Sequence, residues 1–573
     1  MRKISSLLLI FGSACAAAGA PAAADRHPLY EPSVPLSATD AKQGGLCVAA
    51  LPEFGRAEFD KSPAETQPQL QLRGWRGERV SGRVVAWSDG AEPQLTVHCA
   101  PLAHAGGDET LPVSVGMLRY TEAHKKLYAD VMGRETVCDL AGGRTRPMWV
   151  QVDIPQDAEP GVYRGAVRVH SAVSEPLAVP VELVVEDYEL PEPEEWRVHL
   201  DLWQHPQAVA RWHAVEPWSP EHLALLKPLM KRLADAGQKV VTCTIIDEAW
   251  NAQTYDWFPS LVRWVRDKEG NMRYDYSDFD TWVEFMMDEV GIREQIACYT
   301  MVPWSMSVRF FDEAAGVYQT RRLSVKDASF EQMWGPFLSD FRKHLQRKGW
   351  LEKTCIALDE RPDALVLAAL DVLQRYAPEL RIVSAVDKPS DTTRQVSTIS
   401  PVLTHADSVT PELLAERKSR ELKTTFYVCL HPLAPNTFTM SPHAEAEWLG
   451  FFAAARGFDG FLRWAYNSWN RNPFETTDFV HWPSGDCFLV YPGNLSSRRF
   501  EHLRDGLEEF EKITMLRARA TRLDTPEARA VIERLNAGLA GLFTVERSKG
   551  KDHEQDVLRA RELVREAAAV LLR

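Results

Sequence analysis

Two adjacent carboxylates end an apolar segment in the middle of this chain. Residues 354–362 read Thr-Cys-Ile-Ala-Leu-Asp-Glu-Arg-Pro, so strand-forming residues lead into Asp359 and Glu360, and Pro362 then stops the strand. Side chains alternate between the faces of a strand, but at its last residue this alternation relaxes and both carboxylates can reach one cleft. Two carboxyl groups that close shift each other's pKa values, so one can donate a proton while the other stays charged, as in glycoside hydrolysis. Taken alone, the segment favours the simpler alternative, a solvated Asp-Glu pair between a strand and a loop.

The composition limits the kind of protein that can carry this pair. The 573 residues are too many for one hydrophobic core and predict two or three domains. A net charge of −14 at pH 7, with no compensating basic face, argues against a nucleic-acid partner. The 18 tryptophans are many, and their flat rings near predicted strand ends suit the apolar faces of sugars. Roughly half of these rings must instead pack in cores and domain interfaces.

The amino terminus has the pattern of a secretory signal peptide over residues 1–24. Basic residues at positions 2 and 3 precede an apolar run over 4–11, and three alanines end the segment before Asp25. We therefore expect a secreted or periplasmic protein without a membrane span, because no apolar run reaches about 18 residues. Cys15 leaves a lipoprotein as the less favoured alternative, because residues 12–14 lack the leucine that usually precedes a lipidated cysteine.

Residues 25–190 are rich in turns and in short alternating segments. Apolar and polar residues alternate over 79–87, 94–99, 148–154, 161–170 and 177–186. Strands of this length and spacing predict an amino-terminal β-sandwich. The following Pro-Glu-Pro-Glu-Glu stretch at 191–195 is typical of a stiff linker.

After this linker, apolar strand-like runs alternate with helical patterns. Strands are predicted at 197–204, 239–247, 295–302, 354–359, 381–387, 401–409, 424–430 and 460–466. Helices are predicted at 221–236, 278–290, 330–348, 363–376, 411–420, 443–456 and 497–516. Eight strands that alternate with helices predict a (β/α)8 TIM barrel over residues 195–515. Residues 516–573 read as a small C-terminal helical segment.

The active site of such a barrel lies at the carboxyl ends of its strands. Our candidate substrate-binding residues near these ends are Trp464, Asn467, Trp469, Trp304, Tyr299, His205, Asp247, Glu248 and Tyr427. The sequence has no glycine-rich phosphate loop and no HExxH motif, so we expect neither a cofactor nor a metal. The barrel also makes a functional role for Asp359 and Glu360 the favoured interpretation.

A second carboxylate pair competes with the first. Asp247 and Glu248 also follow a buried strand, and a glycosidase with two carboxylates could take one from each pair. Alternatively, Asp247 and Glu248 orient sugar hydroxyls, or they hold in place the residues that contact the substrate. The physical pattern of the sequence does not choose between these roles.

Several segments resemble glycoside hydrolase family 123, the β-N-acetylgalactosaminidases and related bacterial proteins. They include the Ile-Ala-Leu-Asp-Glu-Arg-Pro run at 356–362 and the Gly-Phe-Leu-Arg-Trp-Ala-Tyr-Asn-Ser-Trp run at 460–469. The others lie at 246–255, 279–287, 291–292, 295–304, 485–486 and 491–493. The likeness covers roughly residues 195–515 and extends more weakly to the amino-terminal region.

This resemblance implies a retaining, substrate-assisted reaction on a glycan that carries N-acetylgalactosamine. The 2-acetamido carbonyl attacks its own anomeric carbon, so the enzyme needs no nucleophile of its own. By the matching motif, Glu360 is the general acid/base, and Asp359 orients the acetamido N–H and stabilises its positive charge. Arg361 is expected to be a structural ion-pairing residue rather than a substrate contact.

Two other functions stay open at this point. One is a catalytically silent carbohydrate-binding barrel, against which the intact Asp359-Glu360 pair argues. The other is a glycosidase of the same fold that acts on a sugar without an acetamido group and pairs Glu360 with Glu248. The sequence indicates neither the glycan linkage nor the oligomeric state.

Overall fold

The computed structural model describes residues 45–572, and these begin with a strand-rich region. Its strands are β1 (Cys47–Ala50), β2 (Leu70–Arg76), β3 (Arg79–Ser88), β4 (Glu92–Cys99), β5 (Leu102–His104), β6 (Thr110–Leu111), β7 (Ser114–Ala123), β8 (Lys126–Met132), β9 (Val137–Leu140), β10 (Arg144–Asp153), β11 (Gly161–His170) and β12 (Leu177–Glu189). One sheet has the order β1-β3-β10-β7-β8, and the other has the order β2-β12-β11-β4-β9 with β5 and β6 attached at β11. The five alternating segments predicted here are all strands.

The two sheets of this region share one hydrophobic core. Val84 of β3 and Met148 of β10, from the first sheet, belong to the same buried cluster as Leu95 and Val97 of the second. The alternation of the sequence explains this packing, since residues two apart on a strand point to the same face. Each buried aliphatic side chain contributes about 1.5–3 kcal/mol to folding.

The chain after residue 195 has twelve more described strands, and eight of these build a barrel. They are β13 (His199–Leu202), β14 (Val240–Thr244), β15 (Arg263–Arg266), β16 (Met272–Asp275), β17 (Gln295–Tyr299), β18 (Ser307–Asp312), β19 (Val317–Arg322), β20 (Thr354–Asp359), β21 (Arg381–Val386), β22 (Thr398–Pro401), β23 (Lys423–Tyr427) and β24 (Gly460–Arg463). Eight of them form a parallel sheet in the order β13-β24-β23-β22-β21-β20-β17-β14. The Lys239 N–H donates to the Leu200 carbonyl at 3.0 Å, so the first and second strands nearly close the barrel. The fold is thus a TIM-like barrel, as the strand–helix alternation predicted.

Helices surround the barrel and complete the carboxyl terminus. They are α1 (Pro206–His213), α2 (Pro220–Ala234), α3 (Ser277–Glu284), α4 (Ser329–Lys348), α5 (Asp363–Tyr376), α6 (Pro411–Ser419), α7 (His443–Arg456), α8 (Arg498–Leu523), α9 (Pro526–Leu542), α10 (Val545–Ser548) and α11 (His553–Leu571). A short π-helical segment, Phe285–Val290, continues α3. Helix α8 runs without a break past residue 515, and α9 and α11 pack beside it and α7.

Two parts of the barrel differ from the prediction. The sixth strand is Thr398–Pro401, and most of the predicted 401–409 strand is the 3₁₀ turn Leu403–Ser408. Pro401 cannot donate a main-chain hydrogen bond, which limits the ladder at this point. The strands β15, β16, β18 and β19 form a four-stranded sheet that the sequence did not reveal. They are short and carry many charged residues, so they lack the apolar run of a barrel strand.

The predicted signal peptide and the possible lipidation site at Cys15 lie outside the described residues. Within residues 45–572, no helix is both long and apolar enough to cross a membrane.

Candidate active site

The carboxylate pair lies at the carboxyl end of the fourth barrel strand. Asp359 is the last residue of β20, and Glu360 follows it with a left-handed backbone, at φ 51°. The Glu360 N–H still donates to the Ala385 carbonyl of β21 at 3.0 Å, which fixes this turn to the neighbouring strand. A non-glycine residue in this conformation is uncommon, and such residues concentrate at active sites.

Asp359 sits in a half-buried position beside an indole. One of its carboxylate oxygens accepts a hydrogen bond of 3.1 Å from Nε1 of Trp304. Burial, and then the negative charge of Glu360, raise the pKa of Asp359 to about 7, although the Trp304 hydrogen bond and Arg361 oppose this rise. The carboxyl group therefore changes its charge near neutral pH.

Glu360 is exposed, and its one side-chain partner among residues 45–572 is the hydroxyl of Tyr427 on β23, which donates to its carboxylate. Burial, followed by the charge of Glu360, raises the pKa of Tyr427 far above its ordinary value. Tyr427 therefore remains protonated and can hold the carboxylate in place. The structure thus joins a predicted substrate-binding residue directly to the predicted acid/base.

Arg361 does not form the ion pair that we expected for it. Its guanidinium lies over the Trp304 ring, with Cζ 4.6 Å from the ring centroid, and no carboxylate of residues 45–572 lies within ion-pairing distance. Burial lowers the pKa of Arg361, and the charge of Asp359 acts in the opposite direction. Arg361 and Asp359 therefore both contact Trp304 and fix its position.

Tyr299 lies deeper, at the end of β17. It is buried against Trp203 and Trp250, with ring centroids 4.6 and 4.9 Å away. Burial raises the pKa of its hydroxyl well above the usual value, and the charges of Asp201 and Asp359 add to this effect. Tyr299 thus connects the carboxylate pair electrostatically with the interior of the barrel.

Asp201 is a residue that sequence reasoning missed. It lies within β13 rather than at its end, and burial raises its pKa to about 7. One of its carboxylate oxygens has no hydrogen-bond partner in the part of the chain that the structure describes. The sequence feature that could have identified Asp201 is a carboxylate inside an otherwise apolar barrel strand.

The carboxylates of the second pair, Asp247 and Glu248, accept hydrogen bonds from main-chain groups of their own loop. Asp247 accepts hydrogen bonds from the Ser260 N–H at 2.8 Å and from Arg309 at 2.9 Å. Glu248 accepts from the Phe258 N–H at 2.7 Å. Burial raises the pKa of Glu248, while its main-chain hydrogen bonds lower it. Both carboxylates therefore hold the loop that follows β14.

Besides Tyr299 and Tyr427, three more predicted substrate-binding residues are buried. Asn467 is buried, accepts from the His205 N–H at 2.9 Å and donates to the His205 carbonyl at 2.9 Å. The His205 ring stacks on Phe258 at 3.8 Å, and burial lowers its pKa to about 3. Trp469 is 1% exposed and donates to the Val490 carbonyl at 2.7 Å. These side chains join loops around the barrel, and their role in substrate binding stays a prediction.

Trp464 is the indole after β24 that remains partly exposed. Its Nε1 donates to Asp486 at 2.6 Å, and Asp486 also pairs with the buried Arg463 at 2.8 Å. The ring of Trp482 lies 5.7 Å from that of Trp464. These contacts hold Trp464 in place while part of its side chain stays exposed to solvent.

Exposed aromatic rings lie on the loops after β14 and β17. Trp304, Trp257 and Tyr255 are large and exposed, and Arg309 of the small sheet lies 5.9 Å from the Trp257 ring. Trp257 was missed because it follows a predicted strand by ten residues, beyond the strand ends that we considered. Exposed rings beside polar groups are typical of surfaces that bind sugars.

Comparisons with known proteins agree with this geometry. The glycoside hydrolase 123 catalytic domain matches residues 203–516, and the glycoside hydrolase 123 N-terminal domain matches residues 53–171. No curated protein matches the sequence.

Two solved structures illustrate the range of similarity. A family 123 glycoside hydrolase from Clostridium perfringens, described for glycolipid glycan hydrolysis, superposes with a TM-score of 0.82 at 22% identity, over 91% of this chain and 97% of that one. A Bacteroides ovatus GH5 xyloglucanase reaches a TM-score of 0.28 at 8% identity, over 80% and 100% of the two chains.

The barrel, its strand-end carboxylates and its aromatic rim define a protein of the glycosidase class. With a catalytic-domain match over more than half its length, the chain belongs to glycoside hydrolase family 123.

Proposed function

We propose that the chain is an exported retaining β-N-acetylgalactosaminidase that removes terminal β-linked GalNAc by substrate-assisted catalysis. The observation that carries this proposal is the position of Asp359 and Glu360 at one strand end, with different surroundings. Asp359 is half-buried beside Trp304, while Glu360 is exposed beside Tyr427. Neighbouring carboxyl groups in unlike environments suit the two roles that this reaction requires.

In the first step, the Asp359 carboxylate accepts the acetamido N–H of the substrate. The acetamido carbonyl oxygen attacks the anomeric carbon, and the glycosidic C–O bond breaks with its electron pair on the leaving oxygen. Glu360 gives its proton to that oxygen. The product is an oxazolinium ion, whose positive charge lies beside Asp359.

In the second step, a water molecule attacks the anomeric carbon and reopens the ring. Glu360, now a carboxylate, takes a proton from this water and returns to its starting state. Two inversions at the anomeric carbon give net retention. Tyr427 supports both steps, because its hydroxyl can hold Glu360 while the proton leaves and returns.

The pKa of Asp359 fits this scheme. At about 7 it lies high for a carboxyl group because of burial and the charge of Glu360. A positive oxazolinium ion formed beside it favours the charged carboxylate, since opposite charges attract most strongly where water is excluded. The site therefore stabilises the intermediate more than the neutral substrate.

The alternative scheme, which pairs Glu360 with Glu248, has less support. Glu248 already accepts the Phe258 N–H, and its neighbour Asp247 is paired with Arg309. The amino-terminal region is, in our proposal, a β-sandwich that supports the barrel. The glycolipid glycan named for the Clostridium perfringens relative suggests a glycoconjugate as the natural substrate.

A panel of aryl β-glycosides tests the proposal. We expect release of the aryl group from the GalNAc derivative, and much slower release from the GlcNAc, galactose and glucose derivatives. Proton NMR of the first-formed sugar should show the β-anomer. An initial α-anomer, or a preference for sugars without the acetamido group, would overturn the proposal. Cell fractionation with and without residues 1–24 tests export separately.

A further inference from the structure

A cation-rich cavity lies between the amino-terminal region and the barrel. It has a volume of about 540 Å³ and is lined by none of the candidate active-site residues. The cations among its lining residues are Arg56, Lys61, Arg83, Lys125, Lys126 and Arg498, with His443 beside them. This concentration of positive charge contrasts with the net charge of −14 for the whole chain.

Two of these arginines are buried without a carboxylate partner. Arg83 is 4% exposed and donates to three carbonyl oxygens of residues 52–55, at 2.5 to 3.1 Å. Arg498 is 3% exposed and donates to the carbonyls of Ala129 and Thr439, each at 3.3 Å. Neither guanidinium forms an ion pair with another residue of the described chain. Buried charges are normally paired, so a counterion is expected here.

Two further polar groups lie at this cavity, the cation Arg56 and the imidazole of His443. Arg56 donates to the Met440 carbonyl at 3.1 Å and is otherwise exposed. His443 is 7% exposed, and its Nδ1 has no hydrogen-bond partner within residues 45–572. Burial, and then the charges of Arg498 and Arg83, hold the pKa of His443 well below its usual value. An anion in the cavity would relieve this repulsion and give Nδ1 a partner.

Nearby carboxylates do not neutralise the wall. Glu58 and Asp60 line the cavity and are exposed, and Glu58 pairs with Lys61 at 2.5 Å. Asp130 attracts Arg498 but is itself bonded to Arg499 at 2.9 Å and to a tyrosine hydroxyl. Burial still lowers the pKa of Arg498 to about 10.

The amino terminus of one helix adds to the positive potential. Helix α7 begins at His443 and has no capping side chain, whereas α8, which begins at Arg498, is already capped by the Ser497 side chain. A helix amino terminus carries a partial positive charge and free N–H groups, which favour an anion. The half-buried rings of Phe59 and Tyr128 form apolar parts of the same wall.

We propose that this cavity binds a tetrahedral oxoanion, sulfate or phosphate, either as the free ion or as an ester on a sugar. Guanidinium groups bind such anions through paired, charge-assisted hydrogen bonds. The cavity volume exceeds that of a free anion, and the rings of Phe59 and Tyr128 offer a surface for an attached sugar. The proposal does not depend on the glycosidase reaction, because the two sites share no residue.

Calorimetric titration of the full chain tests this site. Sodium sulfate, sodium phosphate and GalNAc 6-sulfate are titrated at constant ionic strength, the last with neutral GalNAc present to occupy the active site. Arg56→Gln is the main variant, because Arg56 is exposed and its replacement spares the buried arginines. Arg56→Lys keeps the positive charge but loses the paired N–H donors of the guanidinium. Arg529→Gln removes an exposed arginine on α9 and is the matched control.

We expect saturable binding of sulfate and phosphate, weakened about tenfold in Arg56→Gln, less in Arg56→Lys and unchanged in Arg529→Gln. Tighter binding of the sugar sulfate would assign the site to an acidic glycan, and equal binding would assign it to the free anion. The absence of saturable binding up to about 50 mM, or equal losses in Arg56→Gln and Arg529→Gln, would overturn the proposal. Melting temperatures of the variants, and their activity on an aryl GalNAc derivative, show separately whether the fold and the glycosidase site are intact.

Discussion

Two Asp-Glu pairs lie at or after the ends of buried strands of the same barrel, and they differ in the groups that donate hydrogen bonds to their carboxylates. In both pairs the glutamate has a left-handed backbone with φ 51°, so backbone conformation does not distinguish Glu248 from Glu360. The difference lies in the donors around the carboxylates. Asp247 and Glu248 accept main-chain N–H groups of their own loop, and Arg309 pairs with Asp247. Asp359 accepts from Trp304 in the loop after β17, and Glu360 accepts from Tyr427 at the end of β23.

The same Asp-Glu motif therefore has two different hydrogen-bond environments in one barrel. A carboxylate has about four acceptor positions, and those filled by main-chain groups are not available to a ligand. The loop after β14 closes on its own pair, whereas the chain after β20 leads directly into α5 and leaves its pair open. The predictions below compare matched substitutions in the two pairs.

The largest effect is expected for Glu360→Gln with a poor leaving group. Loss of the acid should reduce kcat/KM by about 10²–10⁴-fold, but much less for an activated aryl group whose departure needs little protonation. The matched Glu248→Gln should show no such dependence on the leaving group. Steady-state kinetics with both substrates measures this, and a leaving-group dependence that appears in Glu248→Gln alone would move the acid to the loop after β14.

A second prediction concerns the other carboxylate. Asp359→Asn should reduce kcat by about 10²–10³-fold with both kinds of leaving group, because it weakens formation of the oxazolinium ion itself. Asp247→Asn, the matched change, should alter activity far less. Equal losses in the two variants would show that Asp359 has no special role in charge stabilisation.

Substitutions of Asp247 and Glu248 should lower the free energy of unfolding more than substitution of Glu360 does. Removing the Glu248 or Asp247 carboxylate leaves part-buried donors unpaired, so each Asn or Gln variant should lose about 1 kcal/mol of unfolding free energy. Glu360→Gln should change stability less, because Glu360 is exposed. Denaturant unfolding measures both, and a larger loss for Glu360→Gln would contradict the assignment.

The smallest effect is a shift in pH dependence. If Asp359 must be ionised, kcat/KM falls as the pH drops through about 7, the pKa of that group. Trp304→Phe removes a donor that favours the carboxylate, so the pKa of Asp359 should rise and the acidic limb of the pH–rate profile should move to higher pH. Glu360→Gln removes a repelling charge, so the pKa of Asp359 should fall and the limb should move to lower pH. Trp464→Phe loses an indole N–H that contacts Asp486 instead, and it should leave the limb in place. A limb that moves in Trp464→Phe but not in Trp304→Phe would refute this origin.

Much of the barrel could be predicted because its buried strands are apolar runs. The fourth strand has the predicted bounds, and the Asp-Glu pair lies at its end. The enclosure of Asn467 and Trp469 could not be predicted, because it depends on the segment that returns along residues 487–490 to cover them. The small four-stranded sheet was missed for a similar reason, since its strands come from two separate loops and have little apolar pattern of their own.

The most direct test of the central claim changes the nucleophile within the substrate. Aryl β-GalNAc derivatives with acetamido, fluoroacetamido, difluoroacetamido and trifluoroacetamido groups carry a carbonyl oxygen that becomes progressively less nucleophilic. Substrate-assisted catalysis at Asp359 and Glu360 predicts that kcat falls steadily with each added fluorine. A kcat that is the same across the series would contradict participation of the acetamido group and, with it, the roles assigned to this pair.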